Sequence, residues 1–220
     1  MRDPNDRHSR ALDAELITDE VLKAQQEARN GLRQFDAVVE MVDYWLQPER
    51  VFRLRLSAVL SLHRVALDGL SSYAGNFRPS AVSIRGSKHE PCGAHLVPSE
   101  VEALCDYVND NWQKPAIHLA AFVLWKLNWI HPFTDGNGRT SRALSYLVLC
   151  IRLGIHLPGT NAIPEQIATN KVPYYEALER ADVADSEGRI DVSALEEYLS
   201  SLLAKQLLSV LESATGKSAK

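Results

Sequence analysis

Apolar residues recur at intervals of three and four positions along most of the chain, which is the pattern of amphipathic helices. The spacing predicts helices over residues 18–30, 32–46, 50–70, 99–112, 116–130, 138–153, 172–184 and 192–211. A shorter helix is expected to begin at Pro164, and Gly31 is expected to separate the first two helices. The pattern therefore indicates a mainly α fold.

One region has the alternating pattern of a β-strand. In residues 81–97, Val82 and Ile84 alternate with Ser83 and Arg85, and Leu96 with Val97 is expected to form the returning strand. The predicted fold class is thus a helical bundle with one β-hairpin.

Composition narrows the possible partners. A chain of 220 residues is within reach of a single domain, and its net charge of −4 offers no polybasic surface for nucleic acid or a membrane. The longest apolar run, residues 119–125, is too short to span a bilayer. The three cysteines are widely spaced and do not indicate a disulfide framework. We therefore expect a cytoplasmic protein with no nucleic-acid or membrane partner.

Charge and hydrophobicity also indicate three regions along the chain. Residues 1–14 are charged and expected to be loosely ordered, residues 15–212 are expected to form a single domain, and residues 213–220 are expected to be a frayed tail.

The chemistry is concentrated in residues 131–142, with the sequence HPFTDGNGRTSR. Pro132 cannot continue the preceding helix, so His131 is expected at its C-terminal end. The next helix is expected to begin near Gly138. This stretch is therefore predicted to form a tight loop between two helices.

A loop of this kind can hold a polyphosphate. Gly136, Asn137 and Gly138 lie at a helix N-terminus, where unpaired backbone N–H groups and the helix dipole favour an anion. Arg139 and Arg142 are three residues apart on one helical face, so both guanidinium groups can bind phosphate oxygens.

Two further side chains add reactive chemistry. Asp135 is a hard oxygen ligand suited to a Mg²⁺ ion that bridges phosphates. His131 titrates near neutral pH and can take a proton from a hydroxyl that attacks phosphorus. The residues thus predict phosphoryl or nucleotidyl transfer from a nucleoside triphosphate. The alternative is a glycine turn with Asn137 as N-cap and solvated arginines, although capping requires neither His131 nor Asp135.

The same stretch resembles the signature of the Fic (Fic/Doc) family, H-P-F-x-D/E-G-N-G-R-x-x-R, at every specified position. The resemblance covers about residues 70–185 and implies transfer of AMP from ATP to a Ser, Thr or Tyr hydroxyl of a target protein. It implies His131 as general base, Asp135 as Mg²⁺ ligand and residues 136–138 as phosphate cradle. Asn137 and Arg139 would bind the inner phosphates and Arg142 the terminal phosphate.

The resemblance also implies roles outside the signature. The hairpin corresponds to the flap that holds the target by strand addition, with Ile84 against the nucleotide or target. Tyr175 is a candidate for the adenine pocket. The alternatives are a surface ribbon without a special role and an ordinary core aromatic residue.

Many Fic proteins carry an inhibitory helix with the pattern S/T-x-x-x-E-G/N, whose glutamate reaches the second arginine of the signature. Glu27 is the nearest candidate, although Lys23 stands at the Ser/Thr position and Ala28 at the Gly/Asn position. The alternative is a solvated helical glutamate.

Several functions remain open at this stage. The same fold can remove AMP from a modified target, transfer another nucleotide, or serve as a non-catalytic nucleotide-binding regulator. A homodimer, or an antitoxin-like protein that supplies the inhibitory helix, would be a further partner. The sequence favours a Mg²⁺-dependent protein adenylyltransferase.

Overall fold

The computed structural model describes residues 9–10 and 15–215, with side chains described for residues 15–210. The expectations for residues 1–8, 11–14 and 216–220 lie outside these residues. In the described part, the long final helix continues to Thr215, beyond its predicted end at residue 211.

Eight α-helices account for most of the described chain, which confirms the mainly α prediction. In chain order the elements are β1 (Ser9–Arg10), α1 (Glu20–Trp45), α2 (Leu56–Leu67), β2 (Ser83–Ile84), a 3₁₀ turn (Ala94–Leu96), α3 (Val97–Asp110), α4 (Ala116–Ile130), α5 (Asn137–Leu153), α6 (Ile163–Thr169), α7 (Val172–Ser186) and α8 (Ser193–Thr215).

Helices α4 and α5 form the centre of the bundle. Helix α4 is apolar on nearly all sides and is enclosed by α3, α5, α7 and α8. Helix α5 packs along α4 and also contacts α1, α2 and α6. The loop that joins α4 to α5 is residues 131–136, so both of its ends are fixed in the hydrophobic core.

The partner of β2 differs from the expected one. Ser9 lies opposite Ile84 in an antiparallel pair, whereas Leu96 belongs to the 3₁₀ turn and Val97 begins α3. Pro98 is suited to the first turn of a helix, and Val97 is fully buried in the core. The predicted return strand is therefore wrong, because helix initiation and burial determine the conformation there.

Gly31 does not end a helix, because α1 runs without a break from Glu20 to Trp45. Polar side chains on both sides of the glycine bind the end of α2. Asn30 donates to the carbonyl oxygens of Ala66 and Asp68, and Gln34 donates to the carbonyl oxygen of Leu62. These long-range bonds hold both halves of α1 in one line and offset the low helix propensity of glycine.

Candidate active site

The loop between α4 and α5 begins at His131, which has left-handed backbone angles, φ 50° and ψ 58°. Its N–H group still donates to the carbonyl oxygen of Leu127, so His131 is the last residue joined to the helix. A left-handed conformation is unfavourable for a residue other than glycine and requires support from its surroundings. This turn, followed by Pro132, ends α4 as predicted and places His131 at its exit.

Gly136 ends the loop and begins α5. Its φ is +76°, and a Cβ atom at this position would lie 2.2 Å from Cδ2 of Leu67. A side chain is therefore excluded both by backbone conformation and by the close approach of α2. As a result, the first turn of α5 presents its N–H groups at the edge of the loop.

His63 of α2 supports the loop from below. Its Nδ1 accepts the N–H group of Gly75 at 3.0 Å, so its Nε2 carries the proton and donates to the carbonyl oxygen of Asp135 at 3.0 Å. The ring stacks on Phe133 with a centroid separation of 3.6 Å. Burial lowers the pKa of His63 to about 4, which keeps it neutral. His63 is thus a buried, hydrogen-bonded residue that supports the loop.

The side chain of Asn137 closes the loop on itself. Its oxygen accepts the N–H group of Phe133 and its amide donates to the carbonyl oxygen of the same residue, both at 2.9 Å. Asn137 is almost fully buried. These contacts show a role in loop shape, and direct contact between its amide and phosphate stays a prediction.

The ring of His131 is uncharged at neutral pH and can therefore accept a proton. Burial lowers its pKa to about 4, assisted by the positive charge of Arg78 and opposed by a hydrogen bond to the backbone of Asn128. Since a carbonyl oxygen only accepts, the 3.3 Å contact with the Asn128 oxygen assigns the proton to Nδ1. Nε2 is then the nitrogen that can accept a proton.

Asp135 is held ionised. Burial alone would raise the pKa of its carboxyl group, but the guanidinium of Arg139 and the N–H group of Gly136 outweigh burial and lower the pKa. The carboxylate oxygens lie 2.8 Å from Nη2 of Arg139 and 2.6 Å from the nitrogen of Gly136. With 46% of its side chain exposed, an ionised carboxylate beside a phosphate cradle fits a Mg²⁺ ligand, because Mg²⁺ usually binds one or two carboxylates together with phosphates and water.

Helix α1 brings opposite charges to the same place. Oε1 of Glu27 lies 3.6 Å from Nη1 of Arg139, the first arginine of the signature, whereas the family pattern places the inhibitory glutamate on the second, Arg142. One turn earlier, Lys23 forms an ion pair with Glu15 and is only 12% exposed. Its charge contributes to the lowered pKa of Asp135.

A single cleft of about 580 Å³ contains all the residues predicted for the site. They are His131, Asp135, Gly136, Asn137, Gly138, Arg139, Arg142, Ile84, Tyr175 and Glu27. The structure thus brings together side chains that are up to 148 positions apart, from Glu27 to Tyr175.

One side of the cleft is lined by two tyrosines of α7 together with Asn128 and Asp182. Tyr174 and Tyr175 of α7 lie in contact with each other, with ring centroids 5.4 Å apart. Asn128 donates to the hydroxyl of Tyr174 at 2.7 Å, and Asp182 accepts from the indole of Trp125 at 2.8 Å. Tyr174 is buried and Tyr175 is partly exposed, so Tyr175 has the surface with which a base could stack.

Sequence reasoning missed several cleft residues. Lys23 and Glu15 come from α1 and the segment before it, and His89 comes from the segment after β2. The only signal for Lys23 was its presence at a position where the family pattern has Ser or Thr. Trp129 of α4 also lines the cleft.

No group of three or more His, Cys, Asp or Glu side chains in residues 15–210 is arranged to hold a metal ion by itself. Within the described part of the chain, no helix has the length and apolar character needed to span a membrane.

Comparison with known proteins agrees with the geometry. A model of the Fic/DOC family matches residues 53–149. The chain is 28% identical over 162 residues to protein adenylyltransferase fic-1 of Caenorhabditis briggsae, covering 71% of this chain and 30% of that protein. It is 34% identical over 136 residues to protein adenylyltransferase Fic of Drosophila grimshawi, covering 60% and 26%. The chain therefore spans about a quarter to a third of the length of these relatives.

Solved structures share the fold. A Fic domain containing signaling protein from Bacteroides thetaiotaomicron aligns over 88% of this chain and 76% of its own, with a TM-score of 0.67 and 24% identity. A fragment of Fic-1 from Caenorhabditis elegans aligns over 91% of this chain and 55% of its own, with a TM-score of 0.64 and 22% identity.

Proposed function

Because the chain belongs to the Fic/DOC family, we propose that it is a protein adenylyltransferase that transfers AMP from ATP to a Ser, Thr or Tyr hydroxyl of a target protein. The observation that carries the proposal is the convergence of a neutral imidazole, an ionised carboxylate and a helix N-terminus with two arginines in one cleft. Binding of a nucleotide alone would require neither the base nor the carboxylate.

In the proposed reaction, His131 accepts the proton of the target hydroxyl through Nε2. The hydroxyl oxygen forms a bond to the α-phosphorus, the bond from that phosphorus to the β-phosphate oxygen breaks, and pyrophosphate leaves. The hydrogen bond between Nδ1 and Asn128 fixes the ring so that Nε2 remains the basic nitrogen throughout.

Charge that develops on pyrophosphate is stabilised at the start of α5. The N–H groups of the first turn are held in place by the helix, and the guanidinium groups of Arg139 and Arg142 add positive charge and further donors beside them. We assign the inner phosphates to residues 136–139 and the terminal phosphate to Arg142. Leu67 packs closely against Gly136 and supports this cradle from the side of α2.

A Mg²⁺ ion held by Asp135 would neutralise phosphate charge and orient the leaving group. Asp135 would be available once Arg139 moves its guanidinium toward phosphate, since the two are paired in the structure. The target segment would extend β2, because strand addition uses backbone bonds and tolerates different side chains.

The proposal is tested by incubating the protein and Mg²⁺ with ATP that is radiolabelled either at the α- or at the γ-phosphate. We expect label on the protein itself or on a target only from α-labelled ATP, and no label with His131→Ala. His156→Ala is the matched control, because His156 is an exposed histidine that pairs with Asp43 away from the cleft. Label from γ-labelled ATP would indicate phosphoryl transfer instead, and equal labelling by His131→Ala would remove the base assignment.

The contact between Glu27 and Arg139 favours one addition to the proposal, that Glu27 restrains ATP binding. A carboxylate 3.6 Å from the guanidinium of Arg139 offsets part of the positive charge that would attract phosphate. We infer that Glu27 limits ATP binding in a productive geometry, although it does so at the first arginine of the signature and not at the second.

A further inference from the structure

The carbonyl groups at the C-terminal end of α4 face the segment around β2. The final carbonyl groups of a helix have no partner within the helix, and they form the negative end of its dipole. Here the groups without a helical partner include those of residues 129–131, and Pro132 follows them in the loop. We use the term flap segment for residues 80–92, which contain β2 and line the cleft through Ile84, Ser87 and His89.

Arg78 joins the flap segment to these carbonyl groups. Its Nε donates to the carbonyl oxygen of His131 at 2.8 Å, and its backbone N–H group donates to that of Pro132 at 2.9 Å. Its remaining guanidinium nitrogens donate to the carbonyl oxygens of Ser80 at 3.0 Å and Cys92. One guanidinium group thus binds the residue at each end of the flap segment together with the backbone of the proposed base.

Two other residues, His89 and Cys92, contact the remaining carbonyl groups. We use the term attachment for these contacts together with those of Arg78. Nε2 of His89 donates to the carbonyl oxygen of Trp129 at 2.7 Å, and Sγ of Cys92 lies 3.9 Å from that of Ile130. The carbonyl oxygens of four consecutive residues, 129–132, therefore all face donors from Arg78 or the flap segment. Arg78 is 2% exposed, so these bonds are protected from water.

We propose that Arg78 is a positioning residue that fixes the flap segment at a set distance from His131. A target segment paired with β2 would then present its hydroxyl to the imidazole only while this attachment is intact. The proposal rests on the proposed function for its catalytic consequence, but the attachment itself is a property of the free protein.

Arginine is suited to this role and lysine is not. The planar guanidinium group has five N–H donors in a fixed arrangement and can bind three separate carbonyl oxygens, whereas an ammonium group on a flexible stem cannot reach all three. The attachment also supports the left-handed conformation of His131, because it anchors the carbonyl group on the far side of that residue.

The test compares Arg78→Lys with Arg152→Lys. Arg152 is a matched control, because it also donates from its guanidinium group to two backbone carbonyl oxygens, those of Trp112 and Gln113, and these lie outside the cleft. Hydrogen exchange of the flap segment, affinity for ATP and initial rate of AMP transfer are measured for both variants and the unchanged chain.

For Arg78→Lys we expect amide exchange in residues 80–92 to become about tenfold faster, since the attachment opens more often. We expect the rate of AMP transfer to fall about a hundredfold, because small displacements of reacting groups are costly, while affinity for ATP stays within about twofold. Arg152→Lys should change none of the three. Transfer at the original rate in Arg78→Lys, or a loss of ATP affinity in parallel with transfer, would overturn the proposal.

A second readout does not depend on catalysis. Arg78→Gln removes a positive charge next to His131, so the pKa of the His131 ring, followed by NMR, should rise from about 4, whereas in Arg78→Lys it should remain low. If the unchanged chain transfers no AMP, the proposed function fails, while exchange and ring titration still decide the role of Arg78. If neither exchange nor titration changes, Arg78 does not position the flap segment, whatever the activity.

Discussion

At the scale of single residues, burial of a neutral His131 makes the free energy of unfolding depend on pH. The pKa of His131 is lowered by burial from the usual 6.5 to about 4 in the folded state. Between these values the unfolded chain binds the proton and the folded chain does not, so stability rises with pH. The stability contributed by keeping this ring neutral is complete above pH 6.5 and is lost as pH falls to about 4.

We therefore expect acid destabilisation in which His131 accounts for roughly 3 kcal/mol of the free energy of unfolding. Chemical denaturation at pH 7 and pH 4 measures the difference. His131→Ala should lose less stability between the two values than the unchanged chain, because it has no ring to protonate at this position. His63, with the same lowered pKa, continues to contribute in that variant. An identical loss in both proteins would contradict the assignment.

Lys23 gives a second prediction at this scale. Its ammonium group lies in the cleft with Glu15 and acts on Asp135, at the end where phosphate is expected. Lys23→Met should weaken affinity for ATP at least about tenfold, the lower end of what a hydrogen bond to a charged group contributes. Calorimetry in a His131→Ala background measures binding without turnover.

The control for Lys23 is Arg29→Met, which removes an exposed cation from the same helix outside the cleft. It separates a local phosphate contact from a change in net charge. Equal weakening by the two variants would show that only the overall charge matters, and unchanged affinity in Lys23→Met would exclude contact with phosphate.

The residues of the signature could be predicted because they are consecutive, and two helix ends fix their relative positions. Arg78 and Lys23 could not, because their partners are distant in sequence. Arg78 is one of many basic residues until the fold brings the His131 carbonyl group within 2.8 Å. Nor did any pattern separate His63 from a surface histidine, since its role depends on the approach of Gly75 and Asp135.

At the scale of elements, α1 sets the contact between Glu27 and Arg139 on which the proposed restraint depends. The bonds from Asn30 and Gln34 to the end of α2 fix the rotation of α1 and thereby direct the face that carries Glu27 toward Arg139. Glu27→Gly should raise the rate of self-labelling or target labelling several-fold, about the effect of releasing one charged contact. The assay is the α-labelled ATP reaction.

Glycine also weakens a helix, so the Glu27 variant requires a control for that effect. Glu40→Gly introduces the same defect at an exposed position of α1 outside the cleft. If both variants raise the rate equally, loosening of α1 is the cause and not the loss of the carboxylate. An unchanged rate in Glu27→Gly would show that Glu27 does not restrain the site.

Elements were predictable where local pattern and tertiary packing agree, as in α4 and α5. They were not predictable where long-range contacts override local preference. Gly31 carried a stop signal, but the bonds on either side of it keep α1 continuous. Leu96 and Val97 had β propensity, but burial of Val97 at the start of α3 assigns them to helical structure.

At the scale of the whole molecule, the core extends beyond the 53–149 stretch matched by the family model. Helix α1 contributes Val38 and Val42 to the main hydrophobic cluster, and α8 contributes Leu195, Leu199 and Leu202, all nearly fully buried. Burial of each such side chain stabilises the fold by about 1.5–3 kcal/mol. Their sum is comparable to the net stability of an ordinary domain, about 5–15 kcal/mol.

A fragment of residues 53–149 should therefore not fold, although it contains the entire signature. Helices α4 and α5 would expose the apolar surfaces that α1, α7 and α8 cover in the chain, and Tyr174 and Glu27 would be missing from the cleft. We expect no cooperative thermal transition by near-ultraviolet circular dichroism for the fragment, and one transition for the 220-residue chain. A fragment that melts cooperatively would mean that the flanking helices are accessory, and that the site is built by the signature and its two helices alone.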